Sequence, residues 1–218
     1  MERFRANTVV VGGHSRNIGK TAVMAGLIRG LQPLGWTTVK ITQHGQAIRS
    51  LEGEPCGCVP TEQPFVLSEE RDAHGGGDTS RFLAAGARRS LWLRVRQGQL
   101  AEALPTLDRA LRHSEWVMVE SNSVLEFIRP RVFVVVLAPS QSDFKPSARR
   151  FLALADAVVT LGGTLNPRAW KGIDPRILEA KPQFAVRPGQ FESEGLCRFV
   201  RQKLGLPRAA LAAAASVG

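Results

Sequence analysis

Residues 9–31, VVVGGHSRNIGKTAVMAGLIRGL, carry the reading on which the rest of the chain depends. The β-branched run at 8–11 shows no polar alternation, which suits a strand covered on both faces of a sheet. It breaks at Gly12-Gly13 and restarts at Gly19-Lys20-Thr21 as a helix that Ala22, Val23, Leu27, Ile28 and Leu31 keep apolar. A strand, a glycine-bounded loop and a helix opening on Gly-Lys-Thr make a phosphate-binding loop. The unpaired amides and the dipole of a helix N-terminus attract phosphate, and glycine lets the backbone approach it closely. In that role Lys20 places an ammonium on the β- and γ-phosphates, and the Thr21 hydroxyl completes a Mg²⁺ shell. Gly13, Asn17, Ile18, Gly19, Lys20, Thr21 and Ala22 are therefore the candidate nucleotide-binding residues. Gly13 and Gly19 are separated by five residues, HSRNI, where the common motif has four.

At 218 residues, 44% of them hydrophobic, the chain suits a single α/β domain over residues 1–206. Three cysteines, an odd number, do not form a disulfide framework and fit a reducing compartment. No apolar run approaches the roughly eighteen residues that span a bilayer, and MERFRANT lacks the apolar core of a signal peptide, so a cytoplasmic protein is expected. The formal charge of +10 invites a nucleic-acid reading, but the basic residues are scattered and tyrosine is absent, so no stacking platform is visible. A basic surface suited to polyanionic nucleotides accounts for the charge more simply.

After the first helix, residues 36–42 (WTTVKIT) read as a second strand, which implies a parallel βαβ unit with a right-handed crossover. Lys40 lies near the C-terminal end of that strand, where open parallel sheets gather ligands, and is a candidate phosphate or substrate contact. A lysine snorkelling to the surface is the plain alternative. Residues 43–77 read as a long inserted loop rich in Gly, Pro and Glu. It holds Cys56 and Cys58, with His44 before and His74 after, a set that could bind Zn²⁺ tetrahedrally; two ordinary loop cysteines are the alternative. Asp78 is placed as an N-cap for the following helix, and also as a carboxylate joining Thr21 around Mg²⁺. Residues 89–95 alternate as a strand, and Leu100, Leu104, Leu107 and Leu111 follow at helical spacing. The strand at 116–119 ends in Glu120, where nucleotide-hydrolysing folds hold Mg²⁺ or orient water. Residues 132–138 (VFVVVLA) are the strongest buried-strand signal. A helix at 147–155, strands at 157–161 and 183–186, a short helix at 175–180 and an amphipathic helix at 191–204 complete the pattern. Asn166 follows directly on a strand and is a candidate base contact, although the guanine-reading Asn-Lys-x-Asp sequence is absent. The alanine-rich tail at 207–218 is expected to be disordered.

The five-residue loop spacing before Gly-Lys-Thr, the strand bearing Lys40 and the strand ending in Glu120 resemble P-loop proteins of the dethiobiotin synthetase and cobyrinate amidase type. GGDTSRFLAAGA at 76–87 and VMVESN around Glu120 are similar to MobB-like adaptors of molybdopterin-guanine dinucleotide biosynthesis. The resemblance implies a three-layer P-loop NTPase fold with a mostly parallel sheet. It implies GTP binding with slow Mg²⁺-dependent hydrolysis, a molybdenum-cofactor nucleotidyltransferase as partner, and a homodimer. Lys20, Lys40 and Glu120 would carry the chemistry, with Mg²⁺ on Thr21, Asp78 and Glu120. The alternative is an ATP-dependent small-molecule ligase of the dethiobiotin synthetase kind, with Lys40 on the substrate. The loop is one residue longer than that of MobB-like proteins, and Ser121 stands where they have glycine.

Overall fold

The strands predicted from apolar runs assemble into one sheet in a computed structural model that describes residues 7–45, 63–163, 165–168 and 170–207. In chain order the described elements are β1 (Asn7–Gly13), α1 (Lys20–Gly30), β2 (Thr37–His44), β3 (Phe65–Glu70), α2 (Asp78–Ala84), β4 (Arg89–Arg96), α3 (Leu100–Ala110), β5 (Trp116–Glu120), β6 (Val132–Leu137), α4 (Pro146–Phe151), β7 (Ala157–Leu161), α5 (Pro175–Glu179), β8 (Gln183–Val186) and α6 (Glu194–Lys203). The sheet order is β3-β4-β2-β5-β1-β6-β7-β8. Every pairing is parallel except that of β3 with β4.

Period-two alternation along each strand feeds two cores, one on each face. Val10 joins Val39, Leu91, Val119 and Val135 beneath Leu104 and Leu107 of α3, Phe151 of α4 and Leu178 of α5. Val9 and Val11 turn the other way, to Met118 and Val134, and pack on Leu27 and Ile28 of α1, Phe82 of α2 and Leu196 and Val200 of α6. Three layers result. The strand order reverses at β1, which lies between β5 and β6, so the loop after β1 opens at the crevice where α/β sheets bind ligands. With the phosphate-loop unit at that point, this is a P-loop NTPase fold. Among the described residues no helix is long and apolar enough to cross a membrane.

The segment expected as one long loop differs. Within it, Phe65–Glu70 forms β3, an antiparallel edge strand with Phe65 opposite Val95 and Glu70 opposite Ser90. FVLSEE carries too little alternation to announce a strand, because an edge strand half open to solvent tolerates Ser and Glu. Asp78 also differs. Gly77 is the N-cap of α2 and Asp78 is the first helical residue, with its carboxylate committed elsewhere. The expected N-cap bond is absent for that reason. The final helix starts later than predicted, after Ser193, whose hydroxyl accepts from the Leu196 amide at 3.3 Å. The 147–155 helix stops at Phe151 and finishes as a 3-10 turn. The tail beyond residue 207 lies outside the described residues.

Helix α1 approaches the segment before α6 so closely that a Cβ on Gly26 would stand 2.2 Å from the Phe191 carbonyl oxygen. Alanine normally gains about 1 kcal/mol over glycine inside a helix. Here the clash is with backbone, which has nowhere to retreat. Gly26→Ala should lower the unfolding free energy by about 2 kcal/mol, as overpacking does. Denaturant unfolding checks this, and a stabilised variant would mean that α1 is not held against residue 191.

Candidate active site

The loop of residues 12–19 is shaped by contacts that only short residues permit. A Cβ on Gly13 would stand 2.8 Å from the side chains of both Ile18 and Lys20, so this position has no room for one. Gly19 has φ 83° and opens α1, a left-handed geometry that costs glycine little. Asn17 is exposed and also left-handed, at φ 54°, while Ile18 folds inward and is buried. The first helical bond of α1 runs from the Val23 amide to the Gly19 carbonyl, so the amides of Gly19, Lys20, Thr21 and Ala22 lie outside the helical ladder. They are available to an anion, with the helix dipole behind them.

Neighbouring strands brace the loop. The Gly13 amide donates to Asn122 Oδ1 at 3.0 Å, and Asn122 Nδ2 returns a bond to the Gly13 carbonyl at 2.8 Å. His14 is fully buried, its Nε2 accepting from the Ala138 amide at 3.0 Å and its Nδ1 donating to the Asp143 carbonyl at 2.8 Å. Those partners dictate a neutral imidazole, and burial pushes its pKa below the ordinary value. The unfolded histidine takes up a proton below about pH 6.5 and the folded one resists, so this contribution weakens as pH falls through that range. The sequence alone assigns no role to Asn122 or His14. Their partners lie more than a hundred residues away. The polar residues just past Glu120 were the one visible hint.

Beside the loop lies a compact ion cluster. Lys40 Nζ donates to Glu120 Oε1 at 2.9 Å and to Asp78 Oδ2. Thr21 Oγ1 donates to the other Glu120 oxygen at 2.7 Å. The register explains the meeting, because Lys40 and Glu120 are direct partners across β2 and β5, and Val11 of β1 pairs with Glu120 from the opposite side. Glu120 is only 5% exposed, so its charge needs both donors. Burial draws the Lys40 pKa down, but attraction to Glu120 and the bonds to Asp78 and Glu120 outweigh it and leave the pKa raised. The stabilisation is thus complete below the unfolded lysine pKa and lost only at more alkaline pH. Lys20 reaches back to the Ser15 carbonyl at 2.7 Å, and burial lowers its pKa despite the attraction of Glu120. Glu70, at the end of β3, ties down the start of α2 by accepting from Thr79 and Ser80 at 3.1 and 3.0 Å.

Of the residues read as a Mg²⁺ set, Asp78 and Glu120 share the Lys40 ammonium, and Thr21 joins them through its bond to Glu120. A hydroxyl and two carboxylates are hard oxygen donors and suit Mg²⁺. Of the residues read as a zinc set, only His44 and His74 are among the described residues. His44 ends β2 with its Nε2 buried and without a partner among the described residues, and burial with nearby Arg94 lowers its pKa. His74 is exposed on the turn before α2, 3.7 Å from Asp72. Cys56 and Cys58 lie outside the described residues. Among the described residues no cluster of three or more His, Cys, Asp or Glu side chains could hold a metal ion. Asn166 is exposed beyond β7, its Oδ1 accepting from the Arg168 amide at 3.0 Å.

Neither a family model nor a curated relative matches the chain. The solved structures similar in fold include two P-loop-bearing proteins, HypB and LpxK. HypB from Helicobacter pylori, in complex with nickel, is 13% identical with a TM-score of 0.47, over 90% of this chain and 86% of that one. LpxK from Aquifex aeolicus, in complex with ATP, is 14% identical with a TM-score of 0.48, over 94% and 70%. Likeness at this level does not carry a ligand or an activity from either protein to this chain.

Removing the Lys40 ammonium leaves Asp78 and Glu120 as uncompensated neighbours. Lys40→Met should cost about 3 kcal/mol, since breaking a buried pair strands a charge, and should lower Tm by roughly 6–12 °C. Millimolar Mg²⁺ should restore more of that loss in the variant than it adds to the native protein. An equal Mg²⁺ response in the two proteins would show that the acidic pair is not a cation site.

Proposed function

We propose that this chain binds a Mg²⁺–nucleoside triphosphate and hydrolyses it slowly. The observation that carries the reading is the convergence of Lys20, Thr21, Lys40, Asp78 and Glu120 around a loop whose helix-start amides face outward. Gly13, Asn17, Ile18, Gly19 and Ala22 shape the phosphate cradle. Lys20 and the loop amides would bind the β- and γ-phosphates. Thr21, Asp78 and Glu120 would hold Mg²⁺, which supplies charge neutralisation at the transferring phosphoryl group. Positioning and charge account for most of phosphoryl-transfer catalysis, so this set is enough for slow turnover.

The resemblance to MobB-like adaptors supports a finer reading: GTP as the nucleotide, an accessory role in molybdenum cofactor guanylylation, a nucleotidyltransferase partner and a homodimer. Asn166, beyond β7, would lie toward the base. Lys40 favours the second reading, an ATP-dependent ligase of the dethiobiotin synthetase kind. An ammonium in the middle of β2, released from its carboxylates when Mg²⁺ binds, would be free to contact a small acid.

Calorimetric titration with GTP and with ATP, each with Mg²⁺, separates the two. Preferential GTP binding with hydrolysis indifferent to small acids supports the adaptor, and ATP preference with acid-stimulated turnover supports the ligase. Under either, Lys20→Ala should weaken triphosphate affinity roughly 100-fold, the size of a lost charge-assisted contact of about 2.7 kcal/mol. Unchanged affinity would overturn the nucleotide reading.

A further inference from the structure

The segment between β6 and α4, residues 138–145, grips the phosphate loop along its length. Besides its two bonds to the His14 ring, it receives Ser15 Oγ on Asp143 Oδ2 at 2.8 Å, and the Lys145 amide donates to the His14 carbonyl at 2.9 Å. Phe144 is buried with its ring 5.3 Å from the imidazole, and Trp170 closes the other side at 5.2 Å. Trp170 is itself anchored through Nε1 to the Gln141 carbonyl at 2.8 Å. The Lys145 backbone is therefore fixed directly against the loop.

Its side chain lies half-buried within the electrostatic reach of Lys20 and Arg16 of the phosphate loop, Asp143 of its own segment and Glu120 at the end of β5. Lys40 is occupied by two carboxylates, Lys20 by the Ser15 carbonyl, and Asp143 by Ser15. The Lys145 ammonium has neither a hydrogen bond nor an ion pair among the described residues. A half-buried ammonium without a partner, set among other cations, is unfavourable until an anion arrives. Its pKa reflects this: burial first, then Lys20 and Arg16, push it down to about 8.

We propose that Lys145 is a second lysine for the terminal phosphate of the bound nucleotide, delivered to the phosphate loop by the β6–α4 segment. This rests on reading the loop as a triphosphate site. The ligand chemistry is that of a polyphosphate whose outermost group carries the most charge, because Lys145 shares its surroundings with Lys20 and Glu120.

The test compares native protein, Lys145→Met and Lys145→Arg for binding of a nucleoside triphosphate and the matching diphosphate. Calorimetry is run at pH 8 in two buffers of different ionisation enthalpy. The native protein should take up more protons on binding triphosphate at that pH than Lys145→Met does, because burial and the neighbouring cations leave Lys145 partly deprotonated before binding. Lys145→Met should lose that extra uptake and bind triphosphate about 10–100-fold more weakly, with diphosphate affected much less. Lys145→Arg should restore affinity without the uptake, since a guanidinium stays charged throughout. Lys20 also titrates low, but it is present in all three proteins, so the difference between them isolates residue 145. Equal affinity and equal proton uptake in native and Lys145→Met proteins, with triphosphate bound by both, would overturn the role of Lys145 alone. A native protein that binds no triphosphate would overturn the site reading with it.

Discussion

The meeting of Lys40 with Glu120 and Asp78 is the contact on which the working end of the sheet depends. Glu120 is almost fully buried at the end of a central strand, and a carboxylate there is tolerable only with donors on both oxygens. Lys40 supplies one donor and Thr21 the other, so the strand-end charge fastens β2, β5 and the first turn of α1 to one another. Asp78 brings α2 to the same ammonium. An apolar replacement could pack these elements as well. It could not also present two carboxylates and a hydroxyl to a cation, as the proposed Mg²⁺ site would require.

A second constraint acts on the phosphate loop. Loops that bind phosphate leave their amides unpaired, which makes them poorly held unless side chains fasten them from outside. Here Asn122 clamps Gly13 from one neighbouring strand, and the neutral His14 ring spans to the segment after β6 on the other. β1 runs between those two strands, so the loop is pinned from both flanks while the start of α1 stays open. Such support lets the amides be in place before a ligand arrives, which lowers the ordering cost of binding.

The basic character of the chain acquires a local meaning at this site. Lys20, Arg16 and Lys145 lie on the loop or against it, whereas Lys40 is neutralised by its carboxylates. The excess at the sheet mouth is positive, as a polyphosphate ligand requires. Elsewhere arginines pair with surface carboxylates, as Arg89 does with Glu69 and Arg150 with Glu126, contacts of small energetic weight.

The phosphate loop, most of the parallel strands and Glu120 at a strand end are legible in the sequence alone, whereas Lys40, read as near a strand end, stands mid-strand because β2 runs on to His44. The legible features follow from local signals, namely a glycine-bounded motif and apolar runs long enough to demand burial. Which charges meet follows only from the assembled sheet. It turned Asp78 from a helix cap into the partner of Lys40, and it made an edge strand of FVLSEE within a segment that reads as loop. It also joined His14 and Asn122 to residues far along the chain. The reason is physical. A helix cap, a strand period or a Gly-Lys-Thr turn is written within a few residues, whereas an ion cluster depends on strand order and register, which exist only once the sheet has formed.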